Sequence, residues 1–316
     1  MSDQKNQIEL VRYQAESKPI WDAVVDKAKN ATFLHYRDYV DYHAARFADH
    51  SILVFKSGKA IAAFPCNIVD DQVYSHGGLT YGGLLYGKDV HAATVLEIFE
   101  ALGNYFREIG KRKIIYKVVP QIFHNYPADE DLYALTRVGA FLTRRDLSSV
   151  IEIAHRPKLS DSRKSTARKA EKAGAVAVEL DDFHEFHALL AHVLSKFGAA
   201  PVHSVDELEL LKARFPERIR LFGTLIGGRL YAACLAYDCG HVVHTQYLAS
   251  SDEGRQIGAL DYLLLNLIEK YFSGKKFLSF GISTEQQGRV LNTGLISQKE
   301  GFGGRGIVHD FYEWVL

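Results

Sequence analysis

The chain has 316 residues, 47 % apolar and 24 % charged, and Lys plus Arg equals Asp plus Glu at 38 each. That balance excludes a disordered chain, and it excludes a molecule drawn as a whole to nucleic acid or to an anionic membrane. No apolar run approaches the roughly 20 residues of a membrane span, and the start MSDQKNQIEL lacks a basic-then-apolar signal. Cys66, Cys234 and Cys239 show no metal-ligand spacing and read as small buried hydrophobes, so the expected compartment is the cytoplasm.

In chain order, FLHYRDYVDYH (Phe33–His43) crowds polar groups into a short aromatic stretch. Its His-x7-His spacing with two aspartates between matches no compact metal site, so no metal is expected. Residues 51–83 read as two strands around Ser57-Gly58-Lys59 and a third after the Asp70-Asp71 turn. Residues 91–110 repeat Val95, Ile98, Phe99, Leu102 and Phe106 at helical spacing and stop at Gly110. A short strand Ile114–Lys117, a helix over 130–138 and a strand over 141–153 follow. The stretch 156–174 carries seven Lys/Arg against two acids and reads either as a solvated linker helix or as a patch for an anionic partner.

The second half repeats this order. Residues 220–249 form three strands split by Ile226-Gly227-Gly228-Arg229 and Asp238-Cys239-Gly240-His241. A helix with Leu260, Leu263, Leu264, Leu267, Ile268 and Tyr271 on one face ends at Gly274. Strand Phe277–Phe280, a helix over about 288–299 and a strand over 307–315 complete it. GFGGRG (Gly301–Gly306) has dinucleotide-loop spacing, but only ten residues follow and they alternate like a strand. It therefore predicts a helix stop and a swing into the last strand. Two copies of a β-β-β-α-β-α-β unit give an α+β fold: residues 1–155 as a first domain and 156–316 as a second, the last strand expected to pack on the first and a cleft expected between them.

A three-stranded meander, a glycine-preceded helix and a fourth strand resemble the core of the GNAT acyltransferases. Two such units in tandem resemble the Fem peptidyltransferases and, more closely, the FemAB-like GNAT acetyltransferases of bacterial polysaccharide biosynthesis. The likeness is carried by Phe33–His43, Ser75–Leu84, Arg163–Gly174, His244–Ser250 and Phe280–Arg305. It implies an acyltransferase, with acetyl-CoA or another acyl-CoA as co-substrate and an amino sugar or cell-envelope precursor as acceptor. The alternatives are Fem-type transfer from aminoacyl-tRNA, with RNA on the basic stretch, and a GNAT-like protein that binds a sugar or nucleotide without catalysis. In GNAT proteins a Q/R-x-x-G-x-G/A loop holds the donor pyrophosphate at a helix N-terminus. Arg255-Gln256-Ile257-Gly258-Ala259-Leu260 keeps the Arg and the first Gly, with Ala259 one place early.

Under that resemblance the donor side is expected at Gln246, Arg255, Gly258, Ala259 and Asn292. Glu285, just past the fourth strand, is a candidate to take the acceptor's amine proton, or lies in the first turn of the next helix. His244 is a second candidate base and Tyr247 a candidate acid for the leaving group; both are also ordinary strand residues. Strand alternation places His244 and Gln246 on one face and Tyr247 on the other. The acceptor side is expected at His35, Arg37, His76, Tyr81, Lys117 and Lys299, with Arg37 suited to an anionic group and Lys117 an odd charge in an apolar run.

Overall fold

The computed structural model describes residues 7–316. The chain divides into two compact units. One is the chain up to Asp146 with Gln287–Arg289 and Val308–Leu316; the other is Leu147–Gln286 with Val290–Ile307.

The first unit opens with β1 (Ile8–Arg12), α1 (Lys18–Lys27) and the single turn α2 (Arg37–Val40). Then come β2 (Ile52–Lys56), β3 (Lys59–Phe64), β4 (Asn67–Val69), β5 (Gln72–Tyr74) and β6 (Leu85–Tyr86), followed by α3 (Ala92–Glu108), β7 (Lys113–Lys117), α4 (Glu130–Arg137) and the start of β8 (Phe141–Glu152), whose residues from Leu147 on belong to the second unit. Strands β1, β2, β3 and β6 form one antiparallel sheet. β5 pairs with β7 in parallel, Gln72 opposite Lys113. The apolar stripe read from the sequence is the buried face of α3: Val95, Ile98, Phe99, Leu102 and Phe106 pack into a core with Ile52, Val54, Phe64, Ile114 and Tyr116. Each such side chain contributes about 1.5–3 kcal/mol on burial.

The second unit begins with α5 (Asp161–Lys172), β9 (Val176–Leu180), α6 (Phe183–Ser195) and α7 (Val205–Arg214). The meander is β10 (Ile219–Ile226), β11 (Arg229–Asp238) and β12 (Val242–Ser250), turning where the glycines predicted. The loop expected at Arg255–Leu260 is instead helical up to Ile257, as α8 (Asp252–Ile257), and the long helix begins as α9 (Ala259–Asn266) after Gly258, which adopts φ +80°. A wider helical turn, Leu267–Tyr271, completes it. Next is β13 (Phe277–Ile282). The helix expected from about residue 288 starts later: a small hairpin of β14 (Thr284–Glu285) and β15 (Val290–Leu291) intervenes before α10 (Thr293–Gly301). After α10, Gly303 takes φ +96° and β16 (Arg305–Val315) starts, which is the helix-stop reading of GFGGRG.

The basic stretch is not a free linker. α5 packs along α9, and its Ala167 and Ala170 are buried. β9, α6 and α7 lie outside the repeated pattern and complete this unit before its meander. Phe222, Cys234, Ala236, Val243, Leu263, Leu264, Leu267, Ile268, Leu278 and Phe302 form the core between α9 and the sheet.

Candidate functional site

β12 and β13 pair in parallel over only three positions, Val242 with Phe277, Val243 with Leu278 and His244 with Ser279. On its other edge β13 pairs with β8 from Phe277 opposite Glu152 and shifts register after Ser279, to Ile282 opposite Ser148, while β12 runs on to Ser250 without a β13 partner. The two strands therefore part. A cavity of about 490 Å³ lies there, lined by Leu248 and Ser250 of β12, Phe280 of β13, Leu260 and Leu264 of α9, and Phe302 after α10. Its polar lining is Arg163 and Thr166 of α5, Arg255 of α8, Asp261 of α9, and Gln298 and Lys299 of α10. Mostly apolar walls with a few fixed polar groups are the usual make-up of a small-molecule site.

Of the residues singled out from sequence, the cavity brings together Arg255 and Lys299. Arg255 is about half exposed and lies 3.9 Å from Asp252. Lys299 is 5 % exposed, and its ammonium donates to Gly281 O (2.9 Å), Ile282 O (2.7 Å) and Ser283 Oγ (2.8 Å). Burial pulls its pKa down to about 8. It pins the turn at Gly281, just beyond the point where β13 leaves β12.

Gly258 and Ala259 sit behind this wall. A Cβ on Gly258 would lie 2.3 Å from Thr166 O, so α5 presses directly on the α8–α9 turn. Ala259 is fully buried and its carbonyl accepts from Thr224 Oγ1. Gln246 is skipped in the β11–β12 pairing, where Leu235 faces Tyr247 and Ala236 faces Thr245. This bulge resets the alternation, so His244 and Tyr247 share a face, contrary to the simple two-residue period. His244 Nδ1 lies 3.2 Å from Ser279 Oγ. The Tyr247 hydroxyl lies 2.7 Å from His203 Nδ1, and desolvation raises its pKa. Glu285 is exposed on β14 rather than in a helical turn. Its Oε1 accepts from Asn292 Nδ2 at 2.7 Å, and Asn292 Oδ1 caps α10 by accepting from Leu295 N–H at 2.9 Å.

The candidates of the first unit are built into its interior. His35 is fully buried, its Nδ1 accepts from Thr32 N–H at 3.0 Å, and desolvation lowers its pKa to about 4. The Arg37 guanidinium is buried, paired with Asp41 and with Asp49 at 3.3 Å, and stands 3.7 Å over the Tyr13 ring. His76 is buried, and desolvation with neighbouring His43 holds its pKa well below the usual range. The Tyr81 hydroxyl lies 3.1 Å from Thr32 Oγ1. Lys117 donates to His76 O (3.1 Å), Gly77 O (3.1 Å) and Leu79 O (2.9 Å), and burial lowers its pKa to about 8. Among the described residues no cluster of three His, Cys, Asp or Glu could hold a metal ion.

Sequence reading placed Arg163 only within the basic stretch offered to an anionic partner and missed Asp261; the two form an ion pair at 2.6 Å in the cavity wall. The signal was present as a lone Asp in the apolar face of α9 and one Arg of the basic stretch, 98 positions apart.

Residues 160–286 match the family model described as Acetyltransferase (GNAT) domain. Residues 160–286 of the second unit are thus similar to a GNAT acetyltransferase domain, and the chain shares the fold of tandem, FemAB-like GNAT proteins. Among solved structures, FemX has a TM-score of 0.68 at 11 % identity, over 98 % of this chain and 97 % of that one. L-PGS from Bacillus licheniformis has 0.63 at 13 %, over 96 % and 92 %. A tandem GNAT protein from the clavulanic acid biosynthesis pathway has 0.53 at 11 %, over 98 % of each chain. Among curated proteins none matches the sequence. At these identities the likeness to the solved structures is one of fold. Among the described residues no helix is long and apolar enough to cross a membrane.

Proposed function

We propose that the chain transfers an acyl group, most simply acetyl, from acyl-CoA to the amino group of an amino sugar or cell-envelope precursor. The observation that carries this is the cavity opened where β12 and β13 part after three paired positions. The open strand edges and apolar walls suit a thioester arm, and holding it beside an amine supplies much of the rate. Glu285 and His244 are the proposed groups for taking the amine proton. The test is thiol release from acetyl-CoA with UDP-amino sugars as acceptors, with the acylated product identified by mass. Absence of both thiol release and product across acyl-CoA donors sinks the proposal.

One observation favours a second reading, transfer from aminoacyl-tRNA. A separate groove of about 640 Å³ runs between α5 and the helical turn after α9, lined by Lys158, Lys164, Arg168 and Lys270. Lys158, Arg168 and Lys270 make no ion pair among the described residues, and such cations suit a phosphate backbone. Salt-sensitive tRNA binding without acyl-CoA turnover selects this reading.

A further inference from the structure

We infer that Arg163 is a donor-positioning residue that grips a phosphate of the acyl donor from the side, in place of the backbone loop that α5 covers. The inference rests on the acyl-CoA reading. Two observations carry it. First, the α8–α9 turn is closed: Thr166 O stands 2.3 Å from the position of a Cβ on Gly258, and α8 spends the N–H groups around Arg255 on its own turns. A phosphate has no room against Gly258. Second, the helix that covers the turn brings a guanidinium to the cavity wall. Arg163 Nη1 donates to Asp261 Oδ1 at 2.6 Å, and Asp261 is 7 % exposed.

That pair fixes the plane of the guanidinium. Phe302 flanks it at 5.6 Å, and Gly301 leaves space beside its stem, where a Cβ would come within 3.2 Å of Cγ and 3.3 Å of Nε. Among the described residues Nε and Nη2 make no hydrogen bond. One edge of the fork is therefore spent on Asp261 and the other is offered to a ligand. A guanidinium held this way can bridge a carboxylate and a phosphate, which a lysine ammonium does with less directional control. Its carboxylate partner lowers the net charge at the site, so the contact selects by direction more than by long-range attraction.

The test is calorimetric titration of the full chain with coenzyme A, with pantetheine, which lacks phosphate, and with inorganic pyrophosphate. Arg163→Ala is expected to weaken coenzyme A by about tenfold or more, to leave pantetheine unchanged and to abolish pyrophosphate binding, with Arg163→Lys recovering part of the loss. Coenzyme A and pyrophosphate binding as in the parent overturns the inference, as does an equal loss of pantetheine, which marks a structural role. Should Arg163→Ala fail to fold, Asp261→Asn releases the fork without changing its shape. Coenzyme A affinity then falls while pantetheine holds, and unchanged coenzyme A affinity overturns the inference. A parent chain that takes pyrophosphate through Arg163 but neither coenzyme A nor pantetheine supports the anion contact and ends the acyl-CoA reading. A parent chain that takes none of the three ends both.

Discussion

Lys117 on β7 and Lys299 on α10 each clamp a segment of their own unit, each ammonium donating to three oxygens, those of Lys117 in the loop after β5 and those of Lys299 at the end of β13. Hydrogen bonds from a charged donor are worth about 1.5–3 kcal/mol net. Lys299→Met is therefore expected to lower unfolding free energy by at least that much, since it strands two carbonyls and a hydroxyl. Urea unfolding measures it, and a midpoint equal to the parent's would show that the clamp is idle. Glu285 makes a different claim. If it takes the amine proton, Glu285→Gln lowers kcat by about 10²–10⁴ with the donor KM unchanged; a parental kcat transfers the role to His244. Residue surroundings are legible only where the deciding partner is near in sequence. Arg255 and Lys299 line one cavity, although the sequence reading sets Arg255 on the donor side and Lys299 on the acceptor side. Arg37 reads locally as an available cation, and only the fold brings Tyr13, Trp21 and Asp49 around it. The pairing of Arg163 with Asp261 is not local either, since it exists only once α5 lies on α9.

At the scale of elements, glycine placement separates packing from conformation. Gly82 has no left-handed backbone, yet a Cβ there would sit 1.9 Å from Ser75 O. Gly78 would meet His43 Nε2 at 2.0 Å. The glycines of SHGGLTYGG thus serve close approach within the first unit, with Lys117 pinning the same segment. Gly82→Ala is expected to cost about 1–3 kcal/mol through overpacking, whereas Gly110→Ala, with open space around it, bears only the strain of φ +75°. A thermal-shift comparison that ranks Gly110→Ala as equally or more damaging contradicts this assignment. The meander of the second unit, α3 and α4 were legible because their periodicity and turn residues are local; in the first unit the strand after the Asp70-Asp71 turn instead pairs with β4 and β7, and β3 pairs with β6. The closing of the Arg255–Leu260 loop was not, because the approach of Thr166 O to Gly258 comes from a helix about ninety residues earlier. The β12 bulge was hidden likewise: nothing in HTQYLAS marks Gln246 as the residue that β11 skips.

Across the whole molecule, buried ionisable groups set an acid limit and the last strand sets a long-range dependence. His35 and His309 are buried with pKa values lowered from 6.5 to about 4. Between those pH values the unfolded chain binds two protons that the folded chain refuses, so stability falls as pH drops from 6.5 to 4. Asp131 opposes this. Burial raises its pKa from 3.8 to about 7, so its contribution is full below 3.8 and is lost as pH rises through 7. Buried His76, with its pKa well below 6.5, and His50 and His124, lowered by burial, act with His35 and His309, so the acid loss prevails; Asp131→Asn should steepen the acid loss of urea stability, and a slope shallower than the parent's contradicts this opposition. The second dependence follows from β16. Its Phe311–Val315 segment pairs antiparallel with β7, from Lys117 to Lys113. Trp314 is 2 % exposed, stacks 5.6 Å from Phe99 of α3, and sits where a Cβ on Gly103 would come within 2.8 Å. The first unit's core is therefore closed by a residue from the far end of the chain. Trp314→Ala is expected to cost about 3–5 kcal/mol and to be felt locally: hydrogen exchange should speed up in α3 and β7, both some two hundred residues earlier, while α9 keeps its protection. Loss of protection in α9 to the same degree as in α3 would mean that the two units unfold as one.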